Sequence, residues 1–174
     1  RACILEFAKA GLNVVINYCH HKEEAYSLKE EVEEKYNVNV LVIKADVSKE
    51  DEVIDMINEI VDHFGRLDIL VNNFGTSTPS KDLDLVNTEE DYFFDTIKAN
   101  VGTVYSISKH AIPHMIENGG GSIVNISSIG GTIPDISRVA YGVSKSAVNN
   151  LTQQMAMQYA RYGIRVNAVL PGLT

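Results

Sequence analysis

The sequence is short of basic residues and cysteines and contains no long apolar run. Its 174 residues include 15 Lys and Arg against 23 Asp and Glu, a net charge of −8. Nucleic-acid affinity depends on Lys and Arg contacts to phosphate, so we expect no nucleic-acid partner. Cys3 and Cys19 lack a metal-binding or redox spacing, which favours a reducing cytoplasm. Without a stretch of 18 apolar residues or a signal peptide, no membrane association is expected.

The remaining composition is that of a globular domain. Apolar residues make up 45% of the chain, and its length allows one sizeable core. Repeats and linkers are absent, so we predict one domain over residues 1–174. The chain starts without Met inside a helical pattern and stops just after a strand. We therefore expect it to be truncated at both ends.

Apolar runs alternate with amphipathic segments along the chain. The patterns predict helices over 1–10, 22–36, 48–64, 88–118 (with interruptions) and 141–162. They predict strands over 13–18, 38–47, 67–71, 122–127 and 165–170. Ser48 and Thr88 are expected to cap helices, and Gly65 to end one. Strands apolar on both faces that alternate with helices indicate an α/β fold, a doubly wound parallel sheet covered on both sides.

One stretch, 119–145, concentrates residues with catalytic chemistry. Ser128 follows a buried strand, and Tyr141 and Lys145 come at the start of a long helical pattern. Positions i and i+4 share one helix face, roughly 5–6 Å apart at Cβ. A cationic Lys145 would favour the phenolate and lower the pKa of Tyr141 from about 10. Tyr141 would then be an acid or base near neutral pH, and Ser128 would hydrogen-bond the same substrate oxygen.

The Tyr-x-x-x-Lys spacing is weak alone. It occurs three times, at Tyr18 and Lys22, Tyr105 and Lys109, and Tyr141 and Lys145. Only the third pair has a serine at a strand end thirteen residues upstream. The first two are interpreted as a loop pair and a helix-face pair, and the third as catalytic.

Ser128, Tyr141 and Lys145 resemble the catalytic serine, tyrosine and lysine of the short-chain dehydrogenase/reductase family. Further segments resemble that family's other motifs: Asn72-Asn73-Phe74-Gly75, Asp46-Val47, Asn100 and Pro171-Gly172. Phe74 departs from the family's usual alanine. The resemblance covers essentially the whole chain and implies a Rossmann-like fold with a nicotinamide cofactor.

The resemblance also implies roles for residues at the strand ends. Asn100 would hold a water that links Lys145 to solvent as a proton relay; the alternative is a solvent-facing asparagine. Asp46 and Val47 would contact adenine; the alternative is a strand-end turn. Further cofactor contacts are expected from a set of residues near the nicotinamide and adenosine: Asn73, Phe74, Gly75, Tyr141, Lys145, Pro171, Gly172 and the backbone near Thr174.

The cofactor could be NADP or NAD. An acidic residue after the second strand would select NAD, but the sequence there is Cys19-His20-His21-Lys22. His20 and its basic neighbours could meet a 2′-phosphate, which favours NADP; the alternative is an ordinary polar loop. The first strand and glycine-rich turn of a dinucleotide fold are not in the sequence. The cofactor hypothesis therefore rests on the later sites.

The implied reaction is hydride transfer between the cofactor and a secondary alcohol or ketone, a small-molecule substrate bound by Ser128 and Tyr141. NNFGTS, GGGSIVNISSIGG, PDISRVAYGVSKS and NAVLPGL resemble the family's bacterial 7α-hydroxysteroid dehydrogenases, which implies a bile acid. The alternatives are a 3-oxoacyl-carrier-protein reductase, which the acidic charge disfavours, and a non-catalytic dinucleotide-binding regulator. The resemblance also implies a homotetramer. His63, His110 and His114 are interpreted as surface or packing residues, and no metal site is predicted.

Overall fold

The computed structural model describes residues 1–172 and consists of parallel strands joined by helices. The helices are α1 Ala2–Lys9, α2 Lys22–Lys35, α3 Glu50–Phe64, α4 Glu90–Ile97, α5 Thr103–Glu117 and α6 Val139–Tyr159. The strands are β1 Val14–Tyr18, β2 Val40–Lys44, β3 Ile69–Asn72, β4 Gly121–Ile126 and β5 Ile164–Val169. The order and type of the elements confirm the predicted α/β alternation. Within residues 1–172, no helix is long and apolar enough to cross a membrane.

The chain divides into two compact units, Arg1–Gly65 and Arg66–Thr174. In the first unit, β1 and β2 pair in parallel, from Val14 opposite Val40 to Tyr18 opposite Lys44. The buried side chains of its core come from α1, α2 and both strands: Ala8, Val14, Ile16, Ala25, Leu28, Val32 and Val40. One domain over residues 1–174 stays a prediction.

The second unit is built on a parallel sheet in the order β3-β4-β5. Its core joins apolar side chains of α5 and α6 to those of the sheet: Val104, Ile112, Met115, Ile123, Val148, Met155, Ile164 and Val166. Parallel neighbours need a long crossover, and α5 and α6 belong to the two crossovers here. The carboxyl ends of all three strands therefore lie at the same edge of the sheet.

A chain of buried polar side chains runs through this second core. Asn72 Nδ2 donates to Asn125 Oδ1 (2.8 Å) and to Ser108 Oγ (3.2 Å). Asn125 Nδ2 in turn donates to Thr152 Oγ1 (2.8 Å). These bonds tie β3, β4, α5 and α6 together, and their removal would leave buried polar groups without partners.

Two predicted helix caps are wrong. The residue flanking α3 is Lys49, and Ser48 instead donates from its N–H and Oγ to Asp46 Oδ1. The residue flanking α4 is Glu89, while Thr88 Oγ1 accepts from the Leu83 N–H (2.9 Å). In both cases the side chain closes a local turn, an alternative that Ser and Thr offer to helix capping. Gly65 does end α3, at φ 73°.

The helix predicted over 88–118 is interrupted, as expected. A π-helical turn, Lys98–Gly102, separates α4 from α5, and its residue Asn100 is fully buried. Single π turns inside α-helices occur frequently at functional sites. Between β4 and α6 the chain forms a short 3₁₀ turn, Ile129–Gly131, and α6 begins at Val139, two residues before its predicted start at 141.

We expect Asn125→Ala to lower the free energy of unfolding by about 1–3 kcal/mol, because it leaves Thr152 and Asn72 with fewer partners in the core. Urea unfolding of the full-length protein measures this difference. Asn167→Ala, at an exposed position of β5 in the same sheet, is the matched control and should change stability by less than about 0.5 kcal/mol. Equal effects of the two substitutions would contradict a stabilising role for the network.

Candidate active site

The ends of β3, β4 and β5 surround a cavity of about 270 Å³. The backbone hydrogen bonds between β4 and β5 continue past the ends of these strands. Ser127 N–H donates to Val169 O (2.8 Å), and Ile129 N–H donates to Pro171 O (3.0 Å). The lining residues are Asn73, Phe74, Gly75, Ile126, Ser127, Ser128, Tyr141, Lys145, Pro171 and Gly172. Eight of these ten were singled out from the sequence; Ile126 and Ser127 were missed.

Lys145 is the buried cation of this cavity. Its side chain is one turn after Tyr141 on α6, only 4% of it is exposed, and Nζ donates to Ile126 O (2.9 Å). Nζ lies 5.6 Å from the centre of the Tyr141 ring. Burial lowers the pKa of Lys145 from its usual value of 10.5. A Cβ on Gly75 would lie 2.8 Å from Nζ, so Gly75 leaves room for the ammonium.

Ser128 leads into the 3₁₀ turn at the end of β4. Its Oγ accepts from the Gly130 N–H (3.1 Å). A Cβ on Gly130 would lie 3.5 Å from Ser128 Oγ and 3.8 Å from Cε1 of Tyr141, so the two side chains flank this glycine. A Cβ on Gly131 would lie 2.7 Å from the carbonyl carbon of Lys145. The absence of a side chain at Gly131 therefore lets the turn pack closely on α6.

Ser127, the residue before Ser128, braces α6. Its buried Oγ donates to the backbone carbonyl of Lys145 (3.1 Å). Together with the bond from Lys145 Nζ to Ile126 O, this holds the lysine by its backbone and its side chain. The alternation of side chains along a strand could have indicated that Ser127 points toward a packed helix.

Asn100 lies beside the cavity, where it connects two chain segments. Its Oδ1 accepts from the Thr76 N–H (2.8 Å), and its Nδ2 donates to Thr76 O (3.0 Å) and Ser144 Oγ (2.9 Å). Ser144 Oγ donates to the backbone carbonyl of Tyr141 (2.7 Å). The alternative of a solvent-facing asparagine is wrong, because Asn100 is fully buried. Its part in a proton relay stays a prediction.

The residues predicted to contact adenosine belong to the first unit. Asp46 Oδ1 accepts from Ser48, and these hydrogen bonds hold the pKa of its carboxyl below the usual value. Its N–H donates to Glu52 Oε2 (2.7 Å), with Val47 half-buried beside it. Asp46 therefore forms the strand-end turn that was the alternative interpretation. Its contact with adenine stays a prediction.

The basic residues after β1 are at the surface. His20 is exposed, with Nε2 at 3.3 Å from Cys19 Sγ. Thr174 lies outside the described residues. Within residues 1–172, no group of three or more His, Cys, Asp or Glu side chains is arranged to hold a metal ion.

Comparison with known proteins identifies the family. The family model described as short chain dehydrogenase matches residues 1–174. A 7α-hydroxysteroid dehydrogenase of Paraclostridium sordellii is 60% identical over 153 residues, covering 88% of this chain and 53% of that protein. A 3-oxoacyl-[acyl-carrier-protein] reductase, FabG, of Staphylococcus aureus is 38% identical over 172 residues, covering 99% of this chain and 68% of that protein.

The chain belongs to the short-chain dehydrogenase family. The crystal structure of acetoin dehydrogenase YohF from Salmonella typhimurium superposes with a TM-score of 0.89 at 29% identity, over 98% of this chain and 66% of that chain. This likeness confirms the doubly wound, Rossmann-like fold class. The chain spans about half the length of two 7α-hydroxysteroid dehydrogenases that it matches, 53% and 48%.

The burial of Lys145 predicts a pH-dependent cost to stability. Its folded pKa lies below the unfolded value of 10.5, so the unfolded chain binds more protons between the two values. The free-energy cost of burying the charged ammonium is greatest below the folded pKa, and it disappears as the pH rises toward 10.5. We therefore expect Lys145→Met to lose stability relative to wild type as the pH is raised from about 7 to about 10.

Urea unfolding at several pH values measures that difference. Lys44→Met, at the exposed end of β2, deletes the same charge from a side chain that water surrounds in both states. Its stability relative to wild type should stay nearly constant across the range. If the stability of Lys145→Met relative to wild type is equally constant across this pH range, burial of the charge does not destabilise the protein.

Proposed function

We propose that the protein is an NAD(P)-dependent oxidoreductase that moves a hydride between a secondary alcohol carbon and a nicotinamide. The carrying observation is that Ser128, Tyr141 and the buried Lys145 line one cavity. A hydroxyl donor, a phenol and a cation side by side are suited to moving one proton at a substrate oxygen.

The three side chains have separate tasks in this proposal. Tyr141 takes the proton of the substrate hydroxyl, or returns it in the reductive direction. Lys145 stabilises the phenolate by its charge, and an ammonium has three donors, of which one is given to Ile126 O. Ser128 Oγ accepts from Gly130, so its own proton is free to be donated to the substrate oxygen.

The cavity suits one end of a nicotinamide cofactor. The cofactor supplies the hydride acceptor, whereas the chain supplies orientation and electrostatics. At about 270 Å³ the cavity is smaller than sites that enclose a drug-sized ligand, roughly 300–1,000 Å³. Gly75 supports the fit, because its missing side chain leaves room next to Lys145 Nζ for a ribose hydroxyl to approach. Asn73, Phe74, Pro171 and Gly172 would form the walls.

The remaining cofactor contacts are proposed from the first unit. Asp46 and Val47 would hold adenine, and His20 with Lys22 would meet a 2′-phosphate, so we favour NADP over NAD. The absence of a carboxylate among residues 19–22, after β1, supports this preference. Asn100 would complete the proton relay from Lys145.

The substrate we favour is a bile acid with a 7α-hydroxyl. Two relatives named 7α-hydroxysteroid dehydrogenase, 60% and 54% identical, support it. The second candidate is a 3-oxoacyl-carrier-protein reductase, supported by relatives of that name that are 38% identical over 99% of this chain. A carrier protein is acidic and is recognised through basic surface residues, so the net charge of −8 mildly disfavours this second candidate.

We further propose a homotetramer that works in the cytoplasm. Helices α4 and α6 expose apolar side chains that a homotetramer would cover, among them Phe94 and Met157. Cys3 and Cys19 are free thiols, which supports the cytoplasm as the compartment.

We expect Tyr141→Phe in the full-length protein to lower kcat by at least about a hundredfold, because the proton acceptor is lost. Cofactor binding, measured by fluorescence titration, should change less than twofold. Tyr105→Phe is the matched control, since Tyr105 starts another Tyr-x-x-x-Lys spacing but lies exposed on α5. Unchanged turnover of Tyr141→Phe would refute the mechanism.

Cholic acid and deoxycholic acid differ in the 7α-hydroxyl and so test the substrate. Incubation of the full-length protein with each acid and either NADP or NAD, followed by reduced-nicotinamide fluorescence, should give signal with cholic acid alone and a faster rate with NADP. Signal with neither acid would remove the bile acid proposal and turn the test to acyl-carrier substrates. A faster rate with NAD would reverse the interpretation of His20.

A further inference from the structure

The first turn of α6, which carries Tyr141, is held from a distant part of the chain. The chain enters this helix through Arg138, whose φ of 62° is in the left-handed region. The Arg138 side chain pairs with Asp135 (2.7 Å). A different group therefore accepts hydrogen bonds from the backbone N–H groups at the start of the helix. That group is the carboxylate of Asp82, 58 residues before Ala140.

Asp82 and Leu83 accept hydrogen bonds from four consecutive backbone N–H groups. The main-chain carbonyls of Asp82 and Leu83 accept from Arg138 (3.1 Å) and Val139 (3.2 Å). The Asp82 carboxylate accepts from Ala140 through Oδ1 (2.9 Å) and from Tyr141 through Oδ2 (3.0 Å). Backbone N–H groups at the start of a helix have no acceptor inside the helix. Asp82 and Leu83 supply these acceptors, and we call this set of four hydrogen bonds the clamp.

The carboxylate is suited to this position. Asp82 is fully buried, and a buried charge is tolerated only with compensating hydrogen bonds. The positive end of the helix dipole, which favours an anion, faces it. Ser77 Oγ gives a third, longer contact to Oδ2 (3.4 Å).

The clamp acts on Tyr141 and not on Lys145. Asp82 holds the Tyr141 N–H, while Ser144 holds its carbonyl. Lys145, one turn later, is fixed separately by Ile126 and Ser127. Without Asp82 the first helical turn would loosen and move the tyrosine, whereas the lysine would keep its contacts.

We propose that Asp82 is a positioning residue for the reaction, which sets the place of the Tyr141 hydroxyl relative to Lys145 and Ser128. This inference rests on the proposed role of Tyr141 as the proton acceptor. Misplacement of a reacting group by about 1 Å can cost a hundredfold in rate. Asp82 thus connects the segment that follows Gly75 to the tyrosine.

Asp82→Asn in the full-length protein tests the proposal, because it keeps the size but turns one acceptor into a donor that faces an N–H group. We expect kcat to fall by about ten- to a hundredfold. The KM of the cofactor should stay within twofold, and the pH of half-maximal kcat should rise. Asp84→Asn is the matched control, since Asp84 also accepts backbone N–H groups in this segment, from Val86 and Asn87. It should leave kcat and the pH profile unchanged.

Two results would overturn the proposal. One is an Asp82→Asn variant with wild-type kcat and pH profile. The other is a loss of kcat that comes with an equal rise in cofactor KM and a melting temperature below the assay temperature, which would indicate a structural role only. If Asp82→Asn does not accumulate as folded protein, Asp82→Ser, with one acceptor in a smaller side chain, is judged by the same two criteria.

Amide hydrogen exchange of the wild-type protein tests the clamp without a variant. The Ala140 and Tyr141 amides should exchange at least about a hundredfold more slowly than those in the first turn of α4, where Glu89 gives no side-chain cap within residues 1–172. Equal rates would overturn the proposal. If the wild-type protein turns over no alcohol, the proposed function fails, whereas the exchange rates still decide whether Asp82 holds Tyr141.

Discussion

The parallel register of β3, β4 and β5 is the constraint on which the cavity depends. It sets Asn72 opposite Asn125 and Ile126 opposite Val169, so three chain segments leave the sheet at one edge. A slip of one residue would turn every side chain of a strand to the other face. Ile126 O would then no longer accept from Lys145, and Ser128 would leave the cavity. The buried hydrogen bonds of Asn125 oppose such a slip, because they are made in one register only.

A buried cation next to a missing side chain indicates a site arranged at some cost in stability. Burial disfavours the charge of Lys145, as the direction of its pKa shows, and only one of its donors goes to Ile126. An apolar residue at 145 and a larger one at 75 would pack this region more fully. The chain instead keeps space and charge beside Tyr141, which is the kind of compromise that proteins make where activity requires it.

Sequence reasoning found the parts of the site that local rules determine. A strand end predicted Ser128, helical periodicity placed Tyr141 and Lys145 on one face, and both predictions agree with the cavity lining. The same rules failed at Ser48 and Thr88, whose side chains close turns where helix caps were expected. They could not find Asp82, because its partners lie 58 and 59 residues later and no periodicity joins them. Contacts of this kind become visible only when the fold brings the segments together.

The distance along the chain between Asp82 and α6 has a consequence for the order of folding. Closing a loop of this length costs entropy that a local turn does not pay. The body of α6 can pack on the sheet through Val148 and Met155 before the clamp forms. The turn that holds Tyr141 needs both segments to be in place before it is ordered, so we expect a refolding chain to regain its helical content before its competence to react.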